Sequence, residues 1–268
     1  MKNLLRKLVK FNSFLNASPF SVIHTKFNKI NYDVSDFFIF RLDGYETVFI
    51  AENNLALLTG EHIQCTHSFN FFDKKGIPCG VSEVEDSKFS FRFEINKDIT
   101  SSEEVGSFTH HTKYPDEILE KYAELLSDIS FQHRGYTGFR KSKAFGYSYM
   151  HGNFGGLYFN KKNQIKSLAR LRSKHIFTPQ LVIKSDYSYD FLFSNPTNKS
   201  VIIKFFLVKN NSLENLEEAL LPPFATYKTT LSNESIPNNC NISWETNFPI
   251  GRCVIFEYNK IYFDVFHS

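Results

Sequence analysis

The first signal in the chain is an alternation of apolar and polar residues in short runs. In residues 63–71, apolar residues and His occupy every second position between polar residues, and residues 89–95 repeat the pattern. In a β-strand, successive side chains point to opposite faces, so a pattern that repeats every two residues puts its apolar residues on one face. Both runs are therefore predicted to be half-buried strands. Further strands are predicted at residues 187–193, 201–208, 224–231, 253–258 and 260–266.

A hairpin is predicted near the start of this series. The aromatic and β-branched runs Phe37–Arg41 and Thr47–Ile50 flank the dipeptide Asp43-Gly44. Asp-Gly is favoured in the tight turns that join paired antiparallel strands, so the two runs are expected to pair.

Helical periodicity occurs in two places. Pro115, Asp116 and Glu117 form a favourable first turn, and an apolar stripe continues to Phe131, which predicts one interior helix. Residues Met1 to Leu15 combine four basic residues with apolar residues at helical spacing. This segment is predicted to be an amphipathic helix that packs on the fold, and the alternative is a helix on an anionic membrane surface.

Nothing in the chain has the pattern of a targeting or membrane-spanning segment. The N-terminal residues lack the uninterrupted apolar stretch of a secretion signal. No run approaches the roughly 20 apolar residues that cross a bilayer. The sequence therefore predicts a cytoplasmic protein, with peripheral membrane contact through residues 1–15 as the alternative.

The spacing of the strands predicts the fold class. Short strands separated by turn signals are typical of β-sandwiches rather than of alternating β and α units. The prediction is a mainly β protein with two antiparallel, immunoglobulin-like sandwich domains, joined by a helix and a glycine-rich basic connector. A similar order of strands in the two halves suggests a tandem repeat. The predicted segments are 1–30 (N-terminal helix and lead-in), 31–108 (first sandwich), 109–176 (connector) and 177–268 (second sandwich).

Composition supports a folded protein with an aromatic core. The chain has 30 Phe and 13 Tyr among 268 residues, which makes disorder improbable. Its four cysteines have no C-x-x-C spacing and are too few for a disulfide framework, so they are expected to be reduced.

Charge is distributed very unevenly along the sequence. Residues 129–185 contain 11 basic residues and no Asp or Glu, whereas the rest of the chain has 20 basic and 28 acidic residues. The overall net charge of +3 therefore conceals a basic segment beside an acidic remainder. An anionic ligand is the partner that this pattern favours.

The same segment contains candidate ligand-binding side chains. Six of the twelve glycines lie between Gly135 and Gly156, interleaved with aromatic residues. Glycines let a ligand approach the backbone, Arg pairs with phosphate or carboxylate oxygens, and aromatic rings stack on sugars. The candidates are His133, Arg134, Tyr136, Arg140, Lys143, Tyr147, Tyr149, His151 and Asn153.

Several kinds of catalysis are disfavoured by the motifs. No Walker loop occurs, and no strand and helix flank a G-x-G-x-x-G motif, which argues against nucleotide-driven phosphoryl transfer. Ser148 lies in Gly146-Tyr147-Ser148-Tyr149-Met150, which departs from the G-x-S-x-G nucleophile motif at its last position. Ser148, His133 and His151 are nevertheless the candidate catalytic residues.

Histidines supply an alternative based on metal chemistry. His110, His111, His133 and His151, with a carboxylate from Asp116 or Glu117, are of the types that bind zinc or iron. Their spacing matches no compact motif, and adjacent His110 and His111 on an extended segment would point to opposite sides. No cofactor is therefore predicted, and a divalent metal is the alternative.

Three functional hypotheses follow. The leading one is binding of an acidic or phosphorylated glycan in a cleft between the two domains, lined by the connector. The second is an enzyme acting on a glycan or ester through the four histidines. The third is a structural or assembly protein that docks an acidic protein partner. Nucleic acid is not favoured, because no helix-turn-helix, zinc-finger or RNP-type signature occurs.

Overall fold

The computed structural model describes most of the chain as strands. The described residues are 34–101, 104–127, 132–133, 135–160, 162–167, 175–179, 181–209, 212–232, 240–247 and 252–267. The predicted helix at residues 1–15 lies outside them. No helix in these ranges combines the length and apolar character needed to cross a bilayer.

Residues 34–167 are called the first half below, and their described elements are mostly strands, with four short helices. The strands are β1 (Val34–Arg41), β2 (Glu46–Glu52), β3 (Cys65–Phe72), β4 (Pro78–Asp86), β5 (Ser90–Ile95), β6 (Val105–Lys113), β7 (Gln132–His133), β8 (Gly135–Arg140), β9 (Ser148–His151), β10 (Asn153–Phe159) and β11 (Ile165–Ser167). The helices are α1 (Asn54–Thr59), α2 (Lys97–Thr100), α3 (Asp116–Lys121) and α4 (Ala123–Ser127).

Residues 175–267 are called the second half below, and their described elements are all strands. They are β12 (His175–Phe177), β13 (Val182–Ile183), β14 (Ser188–Ser194), β15 (Val201–Lys209), β16 (Ser212–Leu221), β17 (Thr226–Leu231), β18 (Cys240–Thr246), β19 (Val254–Tyr258) and β20 (Phe263–His267).

Two sheets face each other in the first half. One has the order β11-β10-β1-β6-β3-β4, with β7 added parallel to β1, and the other has the order β5-β2-β8-β9. Alternate residues of these strands point inward and form a phenylalanine-rich core. Its fully buried rings include Phe38, Phe40, Phe49, Phe69, Phe71 and Phe108.

The second half has the same layered organisation. One sheet has the order β12-β18-β15-β16, with β13 also paired to β18, and the other has the order β17-β14-β19-β20. Their core includes Trp244, Tyr189, Phe191 and Phe205, all nearly inaccessible to solvent. The prediction of a mainly β, antiparallel fold is confirmed, while the division into two sandwich domains and the tandem repeat stay predictions.

The predicted hairpin at Asp43-Gly44 is wrong. β1 pairs with β6, β7 and β10, whereas β2 pairs with β5 and β8, so the two strands belong to different sheets. Phe38 and Phe49 from these strands meet across the core, with ring centroids 4.8 Å apart. Burial of both aromatic faces therefore outweighs the local turn preference.

The predicted interior helix is broken into two. α3 and α4 are separated by Tyr122, and Pro115 is the N-cap residue of α3. Ile118, Tyr122 and Leu126 pack against a small core that includes Leu55 of α1. The apolar stripe thus exists as a packing surface, although the helix is not continuous.

The predicted connector is placed largely in strands. Residues 135–140 and 148–151 form β8 and β9 beside β2, and residues 153–159 form β10 beside β1. Gly135 and Gly138 lie in a strand, where other side chains occupy the space that a Cβ would need. These glycines therefore serve close packing within a sheet rather than flexibility between domains.

The two halves share a third core. Ile39, Phe139 and Met150 from the first half pack with Leu192 and Phe256 from the second. The two halves are also in contact between β9 and β20, where Ser148 Oγ donates a hydrogen bond to Asp264 Oδ1 at 2.7 Å. The relative position of the two halves is therefore fixed by apolar packing and by hydrogen bonds.

A buried ion pair crosses this third core. Arg41 at the end of β1 is 4% exposed, and its Nη2 lies 2.7 Å from Asp190 Oδ2 on β14. Its Nε donates to Asp43 Oδ1 at 2.7 Å, and Asp43 also pairs with Lys228 of the second half. Burial opposes ionisation of Asp43, but the hydrogen bonds from Arg41 and Lys228 outweigh it and lower the pKa of this carboxyl group.

Removing the cation from this pair is expected to destabilise the protein strongly. In Arg41→Met, Asp190 stays buried without its partner, and an uncompensated buried charge costs about 3–5 kcal/mol. The measurement is the free energy of unfolding in urea. The control is Lys113→Met, because Lys113 pairs with Glu83 on the surface and such pairs contribute about 1 kcal/mol or less. Equal effects of the two substitutions would contradict the assigned role of Arg41.

A second prediction concerns pH and the seam between β9 and β20. His267 Nε2 donates to the carbonyl oxygen of His151 at 2.7 Å, and burial lowers the pKa of His267 to about 4. The unfolded chain, with a His pKa of about 6.5, binds more protons than the folded protein between these values. Neutral His267 therefore contributes fully to the free energy of unfolding above about pH 6.5. This contribution is lost as the pH falls through about 4.

The test compares urea unfolding of the wild type and His267→Gln across this pH range. Glutamine keeps an N–H donor for the His151 carbonyl but does not titrate. The variant is therefore expected to lose less stability on acidification than the wild type. Parallel pH profiles for the two proteins would rule out His267 as the titrating group.

Candidate functional site

The outward face of the sheet β5-β2-β8-β9 carries most of the predicted ligand-binding residues that the structure describes. Pairing in register aligns Arg92, Ile50, Tyr136 and His151 across the four strands. A neighbouring row contains Glu94, Val48, Gly138 and Tyr149. The name tyrosine face is used below for the outward side chains Glu46, Arg92, Tyr136, Arg140, Tyr147, Tyr149 and His151.

A glycine positions the central ring of this face. A Cβ on Gly138 would lie 2.5 Å from Cε1 of Tyr149 and 2.9 Å from Cγ2 of Val48. The Tyr149 ring therefore lies directly against the backbone of β8, and Val48 beside it is almost completely covered. Tyr149 remains 42% exposed and Tyr136 50% exposed, so two rings present apolar surface to solvent.

Glu46 links the polar side chains at one end of the tyrosine face. Its Oε2 accepts hydrogen bonds from Arg140 Nε at 3.0 Å and from the Tyr147 hydroxyl at 2.9 Å. The hydrogen bond from Arg140 is the main cause of the lowered pKa of Glu46, with contributions from Tyr147 and from the charge of Lys143. Glu46 is therefore a carboxylate at neutral pH and holds both neighbours in place.

Two guanidinium groups lie over the ring of Tyr147. Arg140 Cζ is 4.5 Å and Arg92 Cζ 5.1 Å from the ring centroid. Arg92 Nη1 also donates to the hydroxyl of Tyr149 at 3.3 Å. These contacts fix the orientation of Arg92, an exposed cation that forms no ion pair with any residue in the described ranges. A ligand anion would find this group already oriented.

A cavity of about 560 Å³ adjoins this end of the tyrosine face. Its walls include Glu46 and Tyr147 together with Glu94, Asn96 and Lys97 from the end of β5 and the start of α2. A ligand extending along the sheet could therefore bury one end here. The carboxylates of Asp43, Glu46 and Glu94 and the ammonium group of Lys97 line the cavity, so it offers acceptors as well as donors.

The basic segment of the sequence is partly neutralised in space. Arg140 pairs with Glu46, and Lys184 Nζ lies 3.5 Å from Glu257 Oε1. Both acidic partners come from outside the acid-free segment. At these two described positions, the separation of charge along the sequence therefore does not persist on the surface.

The other predicted ligand-binding residues are not part of the tyrosine face as defined, although Lys143 lies near enough to Glu46 for its charge to lower the pKa of that carboxyl group. Asn153 is buried, and its amide donates to Ser194 Oγ and to the carbonyl of Arg252, so it joins the two halves. Lys143 is exposed on the loop after β8. Arg134 and the side chain of His133 lie outside the described residues.

Of the candidate catalytic residues, Ser148 and His151 are described, and these two are not arranged as a nucleophile and its base. The Ser148 hydroxyl donates to Asp264 Oδ1 and accepts from the backbone N–H of Val265 at 3.1 Å. His151 Nδ1 instead donates to the carbonyl of Gly152 at 3.0 Å. Ser148 therefore has a structural partner on β20, and His151 belongs to the edge of the tyrosine face.

His110 and His111, two of the four proposed metal ligands, point to opposite sides of their strand. His110 points into the first core, where its Nε2 lies 2.8 Å from His67 Nδ1, whereas His111 Nε2 lies 3.2 Å from the Leu157 carbonyl on the other side of the sheet. His67 also approaches Cys65 Sγ, at 3.5 Å, through its other ring nitrogen, so the three side chains do not aim at one point. In the described part of the chain, no group of three or more His, Cys, Asp or Glu residues is placed to hold a metal ion.

Sequence reasoning missed three members of this site: Arg92, Glu46 and Glu94. The alternation in residues 89–95 does place Arg92 and Glu94 opposite the phenylalanines, which was the available signal. It did not show which other strands lie beside β5, because that depends on pairing over long sequence separations. Glu46 was not predicted either, because its place beside Arg140 depends on the pairing of β2 with β8.

Comparisons with known proteins do not assign a family. No family model and no curated protein matches the chain. Fourteen chains of solved structures match, and one is a β-glucuronidase from glycoside hydrolase family 2, with 10% identity and a TM-score of 0.15. The alignment covers 90% of this chain and 26% of that chain, so the protein spans about a quarter of the enzyme's length. A likeness at this level carries no inference about activity.

Proposed function

We propose that the protein binds an acidic glycan on the tyrosine face. The observation that carries the proposal is the ring of Tyr149, held against Gly138 beside exposed Tyr136. The guanidinium of Arg92, which forms no ion pair with a described residue, lies at the hydroxyl end of this ring. Apolar surface and an oriented cation thus occur side by side on one rigid sheet.

The two exposed rings suit the apolar faces of sugars. A pyranose ring carries C–H groups on its faces and hydroxyl groups at its edge, so it can pack on a phenol ring while its hydroxyls reach polar groups. Glu46, Glu94 and His151 supply acceptors and donors around Tyr136 and Tyr149. Their positions are set by strands rather than by loops, which limits the entropy lost on binding.

Arg92 supports a preference for an acidic sugar. A guanidinium group presents paired N–H donors that match a carboxylate, sulfate or phosphate group. The guanidinium group of Arg140 is less available to an acidic sugar, because it already donates two hydrogen bonds to Glu46. One acidic group per binding site is therefore the recognition that the described charges support.

The charges on the tyrosine face favour a glycan over a nucleic acid. Glu46, Glu52 and Glu94 lie on the same side of the sheet as the tyrosines. They would repel a phosphate backbone, which carries a negative charge at every nucleotide. A glycan with occasional acidic groups avoids this repulsion.

The two alternatives have weaker support. The enzyme hypothesis relied on four histidines, and His110 and His111 are buried on opposite sides of a sheet away from the tyrosine face. Docking of an acidic protein relied on a basic surface, which Glu46 and Glu257 partly neutralise.

Truncating the aromatic or cationic contact is expected to weaken glycan binding. Tyr149→Ala and Arg92→Ala should each raise the dissociation constant about tenfold or more, since a stacking or charge-assisted contact contributes about 1–3 kcal/mol. Binding is measured by calorimetry with oligosaccharides selected from an array that includes neutral, uronate, sulfated and phosphorylated members. Arg92→Ala is also expected to reduce the preference for the acidic members.

The matched controls are Tyr262→Ala and Lys113→Ala. Tyr262 is a partly exposed ring on the second half, and Lys113 is a surface cation on the sheet that faces away. Both should bind like the wild type. If no glycan on the array binds, or if Tyr149→Ala and Tyr262→Ala behave alike, the proposal fails.

Gly138→Ala tests the geometry of the face without removing a ligand contact. The added methyl group would displace the Tyr149 ring, while alanine is no worse than glycine in a strand with ordinary backbone angles. Glycan affinity should fall about as far as in Tyr149→Ala, and the free energy of unfolding should fall by about 1–3 kcal/mol, because the methyl group also presses on the buried side chain of Val48. Unchanged affinity would show that the position of the ring is irrelevant.

A further inference from the structure

A second cavity lies where the two halves meet. It has a volume of about 860 Å³, which is in the range of pockets that hold small organic molecules. One wall is the loop after β8, and the other is formed by the start of β14 and the turn between β19 and β20. The name junction cavity is used for this space, whose lining includes Lys141, Phe145, Asp186, Tyr258, Lys260 and Ile261.

Lys141 is the distinctive group in the junction cavity. Its Nζ lies 3.3 Å from the centroid of the Tyr258 ring, and it forms no ion pair with a carboxylate of the described residues. Burial lowers the pKa of Lys141, the charge of Asp190 opposes this effect, and the charge of Arg41 adds to it. A partly buried ammonium group beside a cavity is stabilised by an anion that enters the cavity.

Apolar surface lies beside this cation. Phe145 packs against Phe263 with ring centroids 6.0 Å apart, so its ring is held at the cavity wall. Ile261 is 87% exposed at the tip of a turn whose shape is fixed by Asn259 Oδ1, which accepts from the backbone N–H groups of Ile261 and Tyr262. An apolar residue held in solvent by a rigid turn is available to a ligand at no ordering cost.

We propose that the junction cavity binds a small organic acid with an aromatic body, an aryl carboxylate. The carboxylate lies between the ammonium groups of Lys141 and Lys260, and the aromatic part packs on Phe145 and Ile261. Asp186 is the one carboxylate in the lining, so the cationic groups outnumber it.

The junction cavity is separate from the tyrosine face. Arg140 is the last residue of β8 and binds Glu46 on the outward face, whereas the next residue, Lys141, contacts Tyr258 of the second half. Successive residues of an extended chain point to opposite sides. Failure of the glycan-binding proposal would therefore not contradict the binding of an aryl carboxylate. Failure to bind an aryl carboxylate would likewise not contradict glycan binding.

The experiment uses benzoate as the probe and benzamide as its uncharged counterpart. Binding to the full-length protein is followed by calorimetry and by thermal shift. Benzoate should bind and raise the melting temperature, and benzamide should bind at least about tenfold more weakly, since a charge interaction at such a site contributes more than about 1.4 kcal/mol. Equal affinity for the two compounds, or no binding of either, would overturn the proposal.

Three variants locate the binding site. Lys141→Met keeps an unbranched side chain that is one atom shorter and removes the charge, so benzoate affinity should fall about tenfold. Asp186→Asn removes the carboxylate from the cavity, so benzoate affinity should rise. Lys162→Met, which removes an exposed cation on the turn after β10, should leave affinity unchanged. If Lys141→Met does not fold, Asp186→Asn still tests the site, because its affinity for benzoate should rise. An unchanged affinity for benzoate in Asp186→Asn would contradict the proposal.

Discussion

The buried ion pair between Arg41 and Asp190 is the interaction that links the two pairs of sheets. Removing both charges from water is unfavourable, and their mutual approach, with the hydrogen bonds from Arg41 to Asp43 and from Thr230 to Asp190, offsets this cost. Because the two charges compensate each other only at short distance, β1 and β14 meet at this position. The rings of Tyr45 and Phe256 pack on the guanidinium group at 3.8 and 4.6 Å and exclude water from it. Burial and the nearby charge of Asp190 raise the pKa of Tyr258 to about 12, so the carboxylate of this pair also lies near the ring that contacts Lys141. The geometry of the junction cavity therefore depends on the same charges.

The tyrosine face depends on a different constraint, the close approach of a ring to a glycine. In β8 every second residue points outward, and Gly138 is the position at which the absence of a side chain lets Tyr149 cross the strand. Glu46, Tyr147 and Arg92 then complete a polar rim around the rings. Because all of these residues lie on or next to paired strands, the face is organised before any ligand arrives.

The distribution of charge shows why linear and spatial patterns differ. The acid-free segment from residue 129 to residue 185 suggests a strongly basic surface, yet Glu46 and Glu257 reach Arg140 and Lys184 from distant parts of the sequence. Antiparallel pairing brings strands together regardless of their separation along the chain. Two cations that form no ion pair with a described carboxylate, Arg92 and Lys141, lie at the tyrosine face and at the junction cavity. One of them lies outside the basic segment altogether.

The sequence by itself determined the fold class, because alternation of apolar and polar residues is a local property of each strand. It predicted β3, β5 and β15 near their observed bounds, and it placed Tyr136, Arg140, Tyr147 and Tyr149 together as candidates. Only the tertiary structure decided that β1 and β2 lie in opposite sheets, that the predicted connector supplies strands β8 and β9, and that Arg92 joins the tyrosines. Strand pairing and the burial of aromatic faces fix those arrangements, and both depend on residues far apart in the chain.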